Sequence, residues 1–160
     1  MVKTLCFTGH RPNKLGGYKT PNSTYLAVKS LLSQAIDRAI KEGYDTLISG
    51  GALGVDQWAL EVLYQKNNPG KIIIARPFPS QSCKWPEKSQ KDFEFLLSMA
   101  NQVVDVCEDP YASWKMQKRN EWMVDRSELV IAVWDGTDGG TGNCVKYAQK
   151  CGKTVWKISL

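Results

Sequence analysis

Two glycine-rich turns stand where buried strands are expected to end, and their residue types suit the binding of phosphate. The first turn, residues 50–54, follows the apolar run at 46–48, and the second, residues 135–143, follows the apolar run at 129–134. Each turn precedes a stretch with a helical pattern. Glycine lets the backbone approach a ligand closely, and a helix start offers free N–H groups and the positive end of its dipole. The two turns therefore predict a site for a nucleotide or a related phosphorylated sugar.

The first turn departs from the dinucleotide fingerprint G-x-G-x-x-G and lacks the Gly-Lys-Ser/Thr of a P-loop. Its position at a strand end favours phosphate or ribose binding by Gly50, Gly51, Ala52 and Gly54 over a turn that needs glycine for geometry alone. Asp56 falls in the first turn of the following helix, where a carboxylate stabilises the helix by ~0.3–1 kcal/mol through its interaction with the helix dipole. It is also a candidate ribose ligand or general base, since its charge would repel phosphate.

The second turn offers backbone donors, a hydroxyl and an amide at a helix start, which together predict a second anion site. The alternative is a flexible loop with Asn143 as the helix cap. The candidate ligand-binding residues of this turn are Asp135, Gly136, Gly139, Gly140, Thr141 and Asn143.

His10 is the only histidine and lies directly after the first expected strand, in the segment that begins with Thr8 and Gly9. A lone histidine is often structural, but here it could donate to phosphate or move a proton, which makes it a catalytic candidate beside Asp56. Arg11 can form a bidentate contact with a phosphate group.

Three further candidates lie outside the glycine turns. Trp85 lies in the loop after the third strand, where its side chain either stacks on a base or packs on the protein as an anchor for the loop. Arg119, beside Asn120, is either a second phosphate ligand or a solvated charge on a helix.

Trp134 and Trp156 are expected in the core. Trp and Met residues on the fourth helix indicate either an interface of a homo-oligomer or core; they are Trp114, Met116, Trp122 and Met123.

Composition limits the class of protein. The chain has 160 residues, which fits a single domain, and a net charge of +5, which suits an anionic ligand. Its five cysteines are an odd number without C-x-x-C spacing, so we expect reduced thiols in the cytoplasm and no metal site. No apolar stretch approaches the ~20 residues of a membrane helix, so we expect no membrane partner.

Apolar runs and helical periodicities alternate along the chain. They predict an α/β fold with a mostly parallel sheet of about six strands and helices on both faces. In such sheets ligands bind beyond the carboxyl ends of the strands, where the unusual turns gather. Strands are expected near 3–8, 45–49, 71–76, 102–107, 129–134 and 154–158, and helices at about 23–42, from 55 to before 67, and near 87–100, 114–126 and 143–152.

Several long motifs, in order over nearly the whole chain, resemble the YpsA family of the SLOG superfamily. They lie at residues 7–12 with 14–18, 49–59, 119–125 and 134–144. The resemblance implies a Rossmann-like fold and a role in binding nucleotide-derived ligands, such as ADP-ribose-like or NAD-related molecules, in sensing or defence. We expect no required cofactor beyond such a ligand.

The same superfamily implies two alternative functions. LOG-type phosphoribohydrolases carry Gly-Gly-x-Gly-Thr followed by paired glutamates, whereas Thr141 here is followed by Gly142, Asn143 and Cys144. A nucleotide N-glycosidase would therefore need another carboxylate, by analogy with glycoside chemistry. DprA implies a single-stranded nucleic-acid module, for which six basic residues could share one face: Lys84, Lys88, Lys91, Lys115, Lys118 and Arg119.

Overall fold

Strands and helices alternate along the chain, as the apolar pattern predicts. The computed structural model describes residues 2–160 and, within them, six strands and five α-helices. The strands are β1 (Thr4–Gly9), β2 (Thr46–Ser49), β3 (Lys71–Arg76), β4 (Gln102–Asp105), β5 (Leu129–Val133) and β6 (Thr154–Ile158). The helices are α1 (Ser23–Lys41), α2 (Val55–Tyr64), α3 (Glu87–Met99), α4 (Ser113–Asp125) and α5 (Gly140–Lys150), and a short 3-10 helix spans Pro12–Lys14.

All six strands are parallel and follow the order β4-β3-β2-β1-β5-β6, which confirms the predicted α/β class. The strand order reverses between β1 and β5, which pair from Leu5 with Leu129 to Gly9 with Val133. After β1 the chain crosses one face of the sheet in α1, and after β5 it crosses the other face in α5. This switch point opens a crevice between the two loops, where ligands bind in open α/β sheets.

Both faces of the sheet are covered, because successive side chains of a strand point to opposite sides. Leu5 and Phe7 of β1 pack with α1, α2 and α3, whereas Cys6 packs with α4 and α5. The continuous apolar run of β5 is buried throughout, as expected for a strand covered on both sides. The start of α1 is also as predicted: Asn22 Oδ1 accepts the Tyr25 N–H at 2.9 Å and caps the helix.

The start of α2 is pressed against the end of β1. A Cβ atom at Gly9 would lie 2.5 Å from the side chain of Val55. Gly54 has φ +96°, and a Cβ there would lie 2.5 Å from the carbonyl oxygen of His10. The Val55 N–H donates to that same oxygen at 3.3 Å. Glycine at these two positions lets helix and loop touch through their backbones.

Helix α5 begins at Gly140, three residues before the start predicted at 143. Glycine has a low helix propensity, so the glycines at positions 139, 140 and 142 indicated that the loop continued to residue 143. In the fold, however, a Cβ at Gly142 would lie 2.8 Å from the Thr137 carbonyl oxygen, so the tight first turn requires glycine. Gly139 is the N-cap, and Asn143 lies exposed inside the first turn rather than capping the helix.

Trp134 and Trp156 are both half-buried. Trp156 packs against the core, as predicted in part, whereas Trp134 lies outside both core clusters, so the prediction of a core position is wrong for Trp134. Strand β5 ends one residue before Trp134. The indole N–H of Trp134 donates to the Thr137 carbonyl oxygen, three residues later, at 2.7 Å. Trp156 lies on edge strand β6, where one side lacks a neighbouring strand, and the Arg38 guanidinium stacks 4.0 Å from its ring centre.

Across residues 2–160, no helix is long and apolar enough to cross a membrane.

Gly54→Ala tests the contact between α2 and β1. We expect the free energy of unfolding to fall by roughly 3 kcal/mol or more, because the variant combines a strained positive φ with a clash against the His10 carbonyl. Gly136→Ala is the matched control: Gly136 has φ +90° but open space around it, so only the strain of about 1–2 kcal/mol applies. Urea unfolding measures both, and equal losses would contradict the importance of the contact.

Candidate functional site

A cleft of about 390 Å³ lies at the carboxyl ends of β1 and β5, bounded by the starts of α2 and α5 and by one side of α4. We call it the rim cleft. The predicted residues that line it are Thr8, Gly9, His10, Arg11, Ala52, Asp56, Arg119, Asn120, Gly139, Gly140 and Thr141. The structure thus brings together candidates from four separate stretches of sequence.

Seven of the predicted site residues do not line the rim cleft, and four residues that were not predicted do line it. Of the predicted site residues, those outside the wall of the rim cleft are Gly50, Gly51, Gly54, Trp85, Asp135, Gly136 and Asn143. The wall also contains Asn13, Lys14, Met116 and Asp138, which were not predicted as ligands. Asn13 and Lys14 follow Arg11 in a 3-10 helix, and Pro12 in its first turn is the sequence signal that keeps them beside the site.

The first glycine turn uses part of its hydrogen-bonding capacity internally. Ser49 Oγ accepts the Gly51 N–H at 3.2 Å and donates to the Asp56 carbonyl oxygen at 2.8 Å. Asp56 Oδ2 accepts the Ala52 N–H at 3.3 Å. These contacts fold the turn around the start of α2, so its main contribution to the rim cleft is the position of Ala52 and the Asp56 carboxyl.

Asp56 is a buried carboxyl group in the wall of the rim cleft, with 7% of its surface exposed. Loss of hydration on burial raises its pKa above the ordinary value, and the positive charges of Arg119 and Arg11 partly oppose that rise. A carboxyl group with these properties can accept a hydrogen bond from a hydroxyl group or exchange a proton with a ligand.

Arg119 is also buried, with 4% of its surface exposed, so it is not a solvated helix charge. Its Nη1 donates to the carbonyl oxygens of Gly50, at 2.5 Å, and Ala75, at 3.2 Å. Burial lowers the pKa of Arg119 while the charge of Asp56 raises it. The guanidinium thus ties α4 to the ends of β2 and β3.

His10 links the loops on the two sides of the crevice. Its Nε2 lies 2.9 Å from Asp135 Oδ1, which also accepts the N–H and the hydroxyl of Thr137. These donors hold the pKa of Asp135 far below its usual range, the Thr137 bonds contributing most. The Asp135 N–H lies 3.3 Å from the same Nε2. We assign a proton to Nε2, because the carboxylate contact is shorter and an ionised carboxylate only accepts.

The start of α5 supplies the donors of the rim cleft. The first bond from the N-cap is Asn143 N–H to the Gly139 carbonyl oxygen at 2.8 Å, and no side chain caps the helix. The preceding N–H groups of the helix therefore have no intrahelical acceptor. Lys14 stands close by, with its Nζ 3.2 Å from Thr137 Oγ1, and Arg11 is exposed at the same rim, while the Asp138 carboxylate in the wall is paired with Lys146 Nζ at 3.1 Å. This arrangement favours an anion.

Trp85 and the tryptophan and methionine residues of α4 differ in burial. Trp85 packs against Phe93, with ring centres 5.2 Å apart, as a loop anchor would, yet it remains half-buried. On α4, Met123 is core and Met116 lines the rim cleft, whereas Trp114 is exposed. The core alternative is therefore confirmed for Met123, whereas Met116 and Trp122 are half-buried and Trp114 is exposed.

Comparison with known proteins agrees with the resemblance read from the motifs. Residues 5–157 match the family model described as the YspA SLOG family. The SPbeta prophage-derived protein YoqJ of Bacillus subtilis (strain 168) is 38% identical over 154 residues, which is 86% of this chain and 90% of that protein. A UPF0398 protein of Bacillus thuringiensis (strain Al Hakam) is 29% identical, over 93% of this chain and 83% of its own length.

Two solved structures share the fold. DNA processing protein A from Helicobacter pylori, described for its single-stranded DNA binding mode, superposes with a TM-score of 0.67 and 22% identity over 97% of this chain. DprA from Streptococcus pneumoniae gives a TM-score of 0.68 and 15% identity over 98%. This chain spans 64% and 50%, respectively, of those longer chains.

Asp56→Asn tests the burial of the carboxyl group through the pH dependence of stability. The folded state binds this proton more tightly than the unfolded chain, so ionisation of Asp56 lowers the free energy of unfolding as pH rises from about 3.9 through the folded pKa. We expect the wild type to lose stability relative to the variant across that window, measured by urea unfolding at successive pH values.

Asp109→Asn is a control for which the pH dependence of the free energy of unfolding should have the opposite sign. Ser80 donates twice to Asp109, which lowers its pKa, so its contribution is present above the unfolded pKa and is lost as pH falls. A wild-type advantage over Asp56→Asn that grows with pH, as expected for Asp109→Asn, would contradict the assignment for Asp56.

Proposed function

This chain belongs to the YspA SLOG family, and we propose that it binds a phosphorylated nucleotide derivative in the rim cleft. The ligand class is a mononucleotide, ADP-ribose or an NAD-related molecule, and the role is in sensing or defence. The observation that carries the proposal is the uncapped start of α5, whose Gly140 and Thr141 line a cleft that also holds Arg11 and Lys14.

The phosphate group belongs at the positive side of the rim cleft. Backbone N–H groups at a helix start bind phosphate oxygens, and Arg11 adds a donor pair that matches phosphate geometry. Arg11 is exposed, which leaves its guanidinium free to turn toward a ligand. The volume of about 390 Å³ lies within the range of roughly 300–1,000 Å³ that is usual for small-molecule sites.

The sugar belongs on the opposite wall, beside Asp56 and Asn120. The buried Asp56 carboxyl group would repel a phosphate when ionised but accepts a hydrogen bond from a ribose hydroxyl in either protonation state. Asn120 is half-buried in the same wall, and its Oδ1 accepts the Nε–H of Arg119 at 3.1 Å, which leaves its amide N–H₂ group as a donor for a hydroxyl. Ribose and phosphate thus meet complementary walls.

Arg11→Ala tests the phosphate contact. We expect affinity for ribose 5-phosphate and for ADP-ribose, measured by isothermal titration calorimetry, to fall about 10- to 100-fold, the effect of losing hydrogen bonds to a charged group. Lys41→Ala is the matched control, because it removes one exposed positive charge at the end of α1, near the amino ends of the strands.

Three results would count against this assignment. If neither ribose 5-phosphate, mononucleotides, ADP-ribose nor NAD stabilises the wild type in a thermal-shift screen, the proposed ligand class is wrong. A ligand at 100 times its Kd should add ~2.7 kcal/mol of stability. Unchanged affinity in Arg11→Ala, or an equal loss in Lys41→Ala, would remove the rim cleft as the phosphate site.

Single-stranded DNA is the second candidate, because the Helicobacter pylori neighbour of similar fold has a single-stranded DNA binding mode. The basic residues considered for this function are not equally available. Lys115 is buried and donates to the Glu108 and Pro110 carbonyl oxygens, and Arg119 is buried as described. A DNA strand would instead meet the exposed Arg11, Lys14 and Lys84.

The salt dependence of oligothymidylate binding tests this candidate. Three phosphate contacts predict a slope of about −2 in a plot of log affinity against log salt concentration, since each contact with a single strand contributes roughly −0.7. Lys84→Ala should make the slope shallower by about 0.7, whereas Lys41→Ala should leave it unchanged. Fluorescence anisotropy between low and moderate salt measures the slope, and a flat line excludes the candidate.

A further inference from the structure

A second pocket, of about 410 Å³, adjoins the rim cleft, and Arg11 and Met116 line both. Its walls include the aromatic side chains of Phe78, Trp85 and Tyr111, so we call it the aromatic pocket. Two binding spaces therefore share a boundary, with a flexible cation and a thioether side chain between them.

The two spaces differ in chemistry. The rim cleft is lined by charged side chains, by glycine backbone and by the start of a helix, whereas the aromatic pocket presents flat apolar faces. Phe78 and Tyr111 meet edge to face, with ring centres 5.8 Å apart and planes at 87°. Trp85 packs against Phe93. Tyr111 is 63% exposed, which leaves much of its ring available to cover a flat ligand.

Gln81 adds a polar group to this apolar wall. It is 8% exposed, and its Nε2 donates to the Gly50 carbonyl oxygen at 3.1 Å, which leaves Oε1 as the free acceptor. Among the buried side-chain nitrogen and oxygen atoms of residues 2–160, Gln81 Oε1 alone has no hydrogen-bond partner. A buried acceptor without a donor is costly. Oε1 is shielded from solvent, so a ligand amino group gains affinity here when the Gln81 side chain, which lines the aromatic pocket, turns Oε1 toward it.

We propose that the aromatic pocket binds the base of a nucleotide whose phosphate occupies the rim cleft, and that Gln81 favours a base with an exocyclic amino group, such as adenine, over one without it, such as hypoxanthine. The inference rests on the proposed function and narrows it. Phosphate and base then lie on opposite sides of Arg11 and Met116, which matches the order of charged and flat parts in a nucleotide. The aromatic faces supply affinity through stacking, and the Gln81 acceptor supplies the choice of base.

Calorimetric titration with three probes separates these contributions in the wild type. AMP carries the base and its amino group, IMP carries a purine without that amino group, and ribose 5-phosphate carries no base. We expect AMP to bind about tenfold or more tightly than ribose 5-phosphate, and IMP to bind more weakly than AMP by about fivefold or more.

Tyr111→Ala tests the stacking face. We expect affinity for AMP to fall by about fivefold or more, while affinity for ribose 5-phosphate stays unchanged. Trp114→Ala is the matched control: Trp114 is 62% exposed, close to the exposure of Tyr111, but lies outside the walls of both spaces. An equal loss in the two variants would overturn the role of Tyr111.

Gln81→Met tests the choice of base, because methionine has a similar length but no amide. We expect AMP and IMP to bind this variant equally. The comparison of AMP with IMP on the wild type does not depend on the stability of any variant, and equal affinities there would overturn the preference for an amino group.

The probes also distinguish failure of this inference from failure of the proposed function. If ribose 5-phosphate binds and AMP binds no more tightly, the aromatic pocket is not a base site and the phosphate assignment stands. If neither ribose 5-phosphate nor AMP binds, both the proposed function and the inference are wrong.

Discussion

A buried arginine organises the edge of the sheet where the candidate site lies. A cation removed from water must find hydrogen-bond acceptors and a compensating charge, or the fold loses much of its stability. Arg119 meets this demand with the carbonyl oxygens of Gly50 and Ala75 and with the nearby charge of Asp56. A Cβ at Gly50 would lie 2.5 Å from Arg119 Nη1, so the same contact explains the glycine in the first turn. Helix α4, two strand ends and the start of α2 are thereby held in one arrangement.

This arrangement separates positive and negative groups within a small space. Asp56 lies deep in the wall, where burial raises its pKa, while Arg11 and Lys14 are exposed at the rim. The start of α5 faces them across the crevice. At the mouth of the rim cleft the carboxylate of Asp138 is paired with Lys146 Nζ at 3.1 Å, so an anion there meets the donors of Arg11, Lys14 and the start of α5, and the deeper wall is left for neutral hydroxyl groups. The geometry favours a ligand that is charged at one end and neutral beside it.

The fold was largely readable from the sequence because buried parallel strands leave continuous apolar runs, and those of β3 and β5 are unmistakable. The turns at their carboxyl ends could be assigned to one rim for the same reason. The roles of individual side chains were harder to predict. The sequence places Arg119 on a helix surface, and only the packing of α4 on the sheet shows that its guanidinium is buried. The early start of α5 was missed because helix propensity counts glycine as a breaker, whereas contact with the Thr137 carbonyl requires it. The turn at residues 77–81 follows β3 and places Gln81 on the same rim, but nothing in that turn predicts its hydrogen bond to Gly50, 31 positions away.

The bond between His10 and Asp135 has a consequence for the thermodynamics of recognition. It joins the two loops that form the sides of the crevice, and Thr137 fixes Asp135 in turn. Walls that are already cross-braced lose little conformational entropy when a molecule enters between them. If a ligand binds there as proposed, its recognition would be the meeting of two nearly rigid bodies, with adjustment confined to exposed side chains such as Arg11. The heat of association then reports the contacts themselves rather than the ordering of a loop.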